Sequence, residues 1–161
     1  MPKGYSATQI ALHWAVVILI AAQFLFSGSI SAAYDRVGDG AVVGPSVGII
    51  AHVAGGIAVL LFAMWRLMLR QSRGAPDVPT TTPPVMRTAS HWGHVAIYAL
   101  LFIVPMSGMV AWFGQNPQAA QTHVVLKSVL LVLAVGHVGA ALLHQFWLKD
   151  GLLLRMARPR D

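Results

Sequence analysis

Seven histidines stand in a chain with no cysteine, no glutamate and only five aspartates. Imidazole is therefore the main material for metal or redox chemistry. Three of the seven lie on one long apolar stretch, His123, His137 and His144. The fourteen steps from His123 to His137 are close to four helical turns, so both side chains project from nearly one face, about 21 Å apart along the axis. His144 follows two turns later on the same face. Imidazoles inside an apolar helix are costly and mark a function whose partners must be found.

Composition states what kind of solvent surrounds these residues. Of the 161 residues, 57% are hydrophobic and 10% charged, against about 25% charge in soluble domains. This is the composition of a membrane protein. The net charge of +6 sits at the ends of apolar runs, which fits orientation in a bilayer and not a nucleic-acid face. Without cysteine, disulfides, iron–sulfur clusters, thiolate zinc sites and covalent c-type haem are excluded.

Four apolar segments of about spanning length position the histidines. The pattern predicts helices over about 7–33, 47–70, 89–113 and 123–148, in a single domain covering 1–161, an all-α integral membrane four-helix bundle. The first segment, with Lys3 before it and Ser31-Ala32-Ala33 near its end, has the outline of a leader. It is too long for one and is interrupted by His13, Trp14 and Gln23. The segment Gln71–Ser90, with Pro76, Pro79, Pro83 and Pro84, is expected to lie extended along the surface. Basic residues decide the orientation: Lys3, then Arg66, Arg70, Arg73 and Arg87 around the second connection, then Lys149, Arg155, Arg158 and Arg160 after the last segment. The other connections hold only Arg36. The positive-inside rule puts both termini in the cytoplasm. Lys127 is the exception, one turn inside the outer end of the fourth segment, from where it can snorkel outwards.

Depth then sorts the imidazoles. His52 and His123 share a level on the outer side. His13 shares the inner side with His137 and His144, and depth alone leaves either as its partner. Two facing imidazoles from different helices suit the axial positions of a low-spin haem iron, with the apolar bundle wrapped round the ring. Small residues make room for a flat ring: Gly55 and Gly56 follow His52, and Gly136 and Gly139 flank His137. Such glycines also serve ordinary helix packing. Arg66 inside, and Arg36 or Lys127 outside, are suited to pair with haem propionates. His91 and His94, at i and i+3, have a spacing that can bind a metal ion, but with no carboxylate nearby they read as interfacial or quinone contacts. A histidine-lined divalent-metal transporter is the weaker alternative, because cation pathways through membranes usually carry carboxylates.

The ordered motifs resemble the prokaryotic cytochrome b-561 family over nearly the whole chain. They are Tyr5-Ser6 with Gln9-Ile10-Ala11-Leu12-His13-Trp14; His52 with Gly55-Gly56, Arg66-Leu67 and Arg70; His91-Trp92-Gly93-His94 with Tyr98 and Pro105-Met106-Ser107-Gly108; and His137 through His144, Trp147, Lys149-Asp150-Gly151 and Leu154-Arg155-Met156. The resemblance implies a four-helix, dihaem, b-type cytochrome of the bacterial inner membrane. It implies His13 and His137 on an inner haem, His52 and His123 on an outer one, and a quinone contact for His144. Some members are similar in activity to a superoxide oxidase, which takes electrons from superoxide outside and reduces ubiquinone. Lys127 and Arg36 would then guide the anion, although the outer loops here are poor in cations. The alternative implied role is a haem-bearing membrane anchor for another redox protein.

Overall fold

The computed structural model describes residues 4–76, 82–149 and 151–159, and among them every regular element is helical. In chain order these are α1 (Ala7–Leu25), α2 (Gly28–Gly38), α3 (Val47–Arg73), α4 (Pro84–Gly114) and α5 (Pro117–Leu143). A π-helical turn, His144–Leu148, continues α5, and a 3-10 turn, Leu153–Met156, follows. α1, α3, α4 and α5 with its continuation are long and apolar enough to cross a membrane.

Polar residues at the segment ends set the boundaries. α1 opens with a reciprocal capping box: the Ser6 hydroxyl accepts from the Gln9 amide at 3.3 Å, and the Gln9 side-chain oxygen accepts from the Ser6 amide at 3.0 Å. The Gln9 carboxamide also donates to the Gly74 carbonyl (3.2 Å), joining the start of α1 to the end of α3. Both side chains of the capping box, Ser6 and Gln9, are buried. Replacing Ser6 by Ala should therefore cost about 1 kcal/mol, read as a lower unfolding midpoint of the detergent-purified protein.

The first apolar stretch is two helices where hydropathy predicts one over 7–33. At Phe26 the backbone leaves the helical region (φ −112°, ψ 21°). The Ser27 hydroxyl then donates to the Phe24 carbonyl (3.2 Å), offering the backbone a local alternative to the helix ladder. The break makes α2 a separate helix, packed against α3. α4 starts at Pro84, five residues earlier than predicted, because proline is well suited to a first helical turn, where its missing N–H costs nothing. That places 84–90 in a helix instead of an extended connection, while 77–81, with Pro79, lie outside the described residues. α5 starts six residues early, capped by Asn116, whose side-chain oxygen accepts from the Ala119 amide at 3.0 Å.

α1 packs on α3, α4 packs on α5, and α3 against α4 joins the two pairs. The buried core is thin: Val16, Val59, Ala63, Leu100, Leu101, Val104 and Leu130. Large apolar side chains such as Ile18, Leu25, Val132 and Val135 face outwards. Exposed apolar surface on this scale belongs against lipid. The Trp14 indole donates to the Met156 carbonyl at 2.8 Å, so the start of α1 and the C-terminal turn share one end of the bundle, called here the terminal end.

Candidate functional site

Two pairs of imidazoles face each other between helices, one towards each end. At the far end His52 of α3 meets His123 of α5 with ring centroids 6.4 Å apart and planes at 77°. At the terminal end His13 of α1 meets His137 of α5, again at 6.4 Å, with planes at 64°. In both, one ring comes from the α1–α3 pair and the other from the α4–α5 pair, so each histidine pair spans the seam of the bundle.

The separation itself carries chemical information. With metal–imidazole bonds of about 2.0 Å on either side and roughly 1.1 Å from each nitrogen to its ring centre, two axial imidazoles hold their centroids about 6 Å apart. Both pairs stand at that spacing. His94 of α4 also reaches His137, at 5.1 Å and 78°, an edge-to-face contact shorter than two imidazoles on opposite sides of one iron require. Among the described residues no three or more His, Asp or Glu side chains converge as a site for a bare ion. Two opposed imidazoles hold iron well when a macrocycle supplies the other ligands.

At the far end a cavity of about 790 Å³ includes both rings in its wall, with Gly56, Gly108, Gln23, Tyr34 and Lys127. The His123 Nδ1 lies 2.9 Å from the Val104 carbonyl. A carbonyl only accepts, so Nδ1 carries the proton and Nε2 keeps its lone pair for a metal, the usual outer-shell arrangement of a ligating histidine. The Ser107 hydroxyl, which donates to the same carbonyl at 2.8 Å, stands 3.4 Å from Nδ1. Gly108 sets the approach of α4: a Cβ there would lie 2.9 Å from the His123 Cε1 and 3.0 Å from Nδ1. His52 differs, since its Nδ1 is buried with no hydrogen-bond partner among the described residues.

At the terminal end the His94 Nδ1 donates to the Ser90 carbonyl at 2.6 Å, which leaves its Nε2 as an acceptor. Trp14 meets the His13 ring edge-to-face at 5.4 Å. Arg66 donates to the Gln9 carbonyl at 3.4 Å, one turn before His13. The remaining sequence candidates stand in differing surroundings. A Cβ at Gly56, Gly136 or Gly139 would meet nothing within 4 Å, so the space beside them is open. Gly55 differs from that expectation, because the Gln23 carboxamide fills the position a Cβ would take. His91 is exposed and meets its neighbour Trp92 edge-to-face. His144 opens the π-helical turn, a local underwinding that often accompanies function. Lys127 lines the far cavity, whereas Arg36 is exposed and its Nε donates to the Ala32 carbonyl of its own helix at 3.4 Å.

Gly108, Gln23 and Val104 are the contributors that histidine spacing alone does not reveal. Gly108 stands within the Pro105-Met106-Ser107-Gly108 motif, but only the approach of α5 gives it a role. A glutamine in a spanning segment was the available signal for Gln23. The carbonyl of Val104 had none.

These residues fit an axially ligated haem by three observations: imidazoles paired across the seam at 6.4 Å, a proton held on the distal nitrogen of His123 by the Val104 carbonyl, and a glycine cradle beside its ring. A family model for prokaryotic cytochrome b561 matches residues 4–159. The chain is 40% identical to cytochrome b562 of Cereibacter sphaeroides, covering 98% of this chain and 97% of that protein. It is 30% identical to a probable superoxide oxidase of Yersinia pestis, covering 97% of each, and 28% identical to cytochrome b561 homolog 2 of Escherichia coli, covering 96% and 92%. The four apolar helices, the histidine pairs across their seam and a match spanning almost every residue lead to one statement: the chain belongs to the prokaryotic cytochrome b561 family, multi-pass bacterial membrane proteins that transfer electrons on b-type haem.

Proposed function

We propose that the chain is a dihaem cytochrome that passes electrons across the bundle to the quinone pool, with superoxide as donor and ubiquinone as acceptor. The observation that carries this reading is the repetition of one geometry: two histidine pairs at 6.4 Å, at opposite ends, both sharing α5. His52 and His123 would hold one haem and His13 and His137 the other. Each haem, when bound, supplies reversible one-electron exchange.

The residues divide the remaining work. Val104 fixes the tautomer of His123, and Gly108 lets α4 close on its ring. The open space beside Gly56, in the wall of the far cavity, gives a flat group room there. Arg66, beside His13, is placed to neutralise a propionate. The terminal end faces the cytoplasm by the excess of Arg and Lys there. His94, His91 and His144 are assigned to quinone at that end; with Nδ1 tied to Ser90, His94 offers Nε2 to accept or return a proton. Ubiquinone takes two electrons and two protons to become ubiquinol, and two superoxide anions give up one electron each to become dioxygen. Lys127, in the wall of the far cavity, is the cation best placed to attract the anion; Arg36 supports it only from the surface.

That same scarcity of cations favours a second reading, a haem-bearing anchor that receives electrons from another redox protein. Stopped-flow mixing distinguishes the two. The oxidised protein should show reduced α-band absorbance on mixing with superoxide, and lose it on adding a short-chain ubiquinone. Haem that stays oxidised against superoxide, yet is reduced by a protein partner, would establish the anchor. A purified chain without b-type Soret and α bands would remove both readings.

A further inference from the structure

His52 and His123 face each other but are not equally supported. His123 has its distal nitrogen bonded to the Val104 carbonyl, while the buried Nδ1 of His52 has no partner among the described residues. Inside a bilayer no water is at hand to correct this. Among the polar groups in the wall of the same cavity is the half-buried Gln23 carboxamide of α1. It stands over Gly55, one helical turn along α3 from His52, in the space that any larger residue's Cβ would occupy. A carboxamide carries both an acceptor and donors, and half a turn of its last torsion exchanges them.

We infer that Gln23 is the positioning residue of His52: its side-chain oxygen accepts the Nδ1 proton and leaves the Nε2 lone pair for the far-end haem iron. Gly55 is the second half of the device, since only glycine lets the carboxamide lie against α3. The inference rests on the proposed reading that His52 and His123 hold a haem. An imidazole whose distal N–H is hydrogen-bonded is a stronger electron donor and favours the ferric state. Without that bond the reduction potential rises.

Spectroscopic redox titration of purified Gln23→Leu, Gln23→Glu and His52→Ala tests this. His52→Ala identifies the haem concerned by removing its low-spin signal. Gln23→Leu keeps the bulk and loses the acceptor; it should make that haem easier to reduce by on the order of tenfold, about 59 mV for a one-electron couple, with haem content and the other haem unchanged. Gln23→Glu retains an acceptor oxygen and should show no such rise. Gly55→Ala, which evicts the carboxamide, should reproduce the Leu result and serves if Gln23→Leu does not fold. A potential that stays put in both Gln23→Leu and Gly55→Ala, or that rises equally in Gln23→Glu, overturns the inference and leaves the haem assignment standing. A His52→Ala protein with both low-spin signals intact overturns the assignment itself.

Discussion

Purified His123→Ala protein should lack the low-spin signal of one haem, half of the total, and His52→Ala should lack the same one. Their rings are 6.4 Å apart on different helices, so each would supply one axial position of a single iron. Removing either imidazole leaves that iron without its second strong ligand. Effects of groups that act as one unit do not add, so the double variant should lose no more low-spin signal than either single variant. Gly108→Val should approach the same result without touching a ligand. Even its first added carbon would stand 2.9 Å from the His123 ring, and the branch must push that ring or α4 away. Pyridine haemochrome assay with the oxidised Soret position measures all four proteins. A double variant that loses twice the signal of a single one would show that the two histidines serve different irons.

His137→Ala should remove the other low-spin signal, and His13→Ala should remove it too, whereas His94→Ala and His144→Ala should keep both. The terminal end contains two rings near His137. His13 stands at the spacing of an axial pair, 6.4 Å. His94 stands at 5.1 Å, short of the spacing of an axial pair, and its Nδ1 is already committed to the Ser90 carbonyl. The expected effect of His94→Ala is therefore on quinone turnover, slower by about a hundredfold at unchanged haem content if its imidazole relays a proton, the low end of what such groups usually contribute. Haem lost from His94→Ala but retained in His13→Ala would reverse their roles. Haem lost from His144→Ala with His137→Ala intact would move the ligand two turns along α5.

Much of this arrangement is legible before any coordinates. Hydropathy alone separates four spans, because a bilayer imposes a length and an apolar character that local composition must satisfy. The levels of His13, His52, His123 and His137 follow from helical rise, a local quantity. The boundaries moved where a polar side chain captures a backbone group: the Ser27 hydroxyl at the break between α1 and α2, the Asn116 cap seven residues before the expected start of α5. Such competition between hydroxyl or amide and helix ladder turns on single hydrogen bonds, and hydropathy averages over it.

Lateral neighbours were another matter. Depth permits His13 to face either His137 or His144, since both lie towards the terminal end. The packing of α1 on α3 and of α4 on α5, with the seam between them, sets the His13 ring beside His137. It also brings His94 onto that ring from a third helix, and lays Gln23 over Gly55 where open space for a flat group was expected. Composition and helical rise are enough to mark the apolar spans, the level of each imidazole along them, and imidazole as the chemistry on offer. Which imidazoles meet, and at what distance, follows from helix packing. The physical reason is that helical periodicity fixes position along an axis, whereas rotation and partnership between helices depend on side chains far apart in the chain.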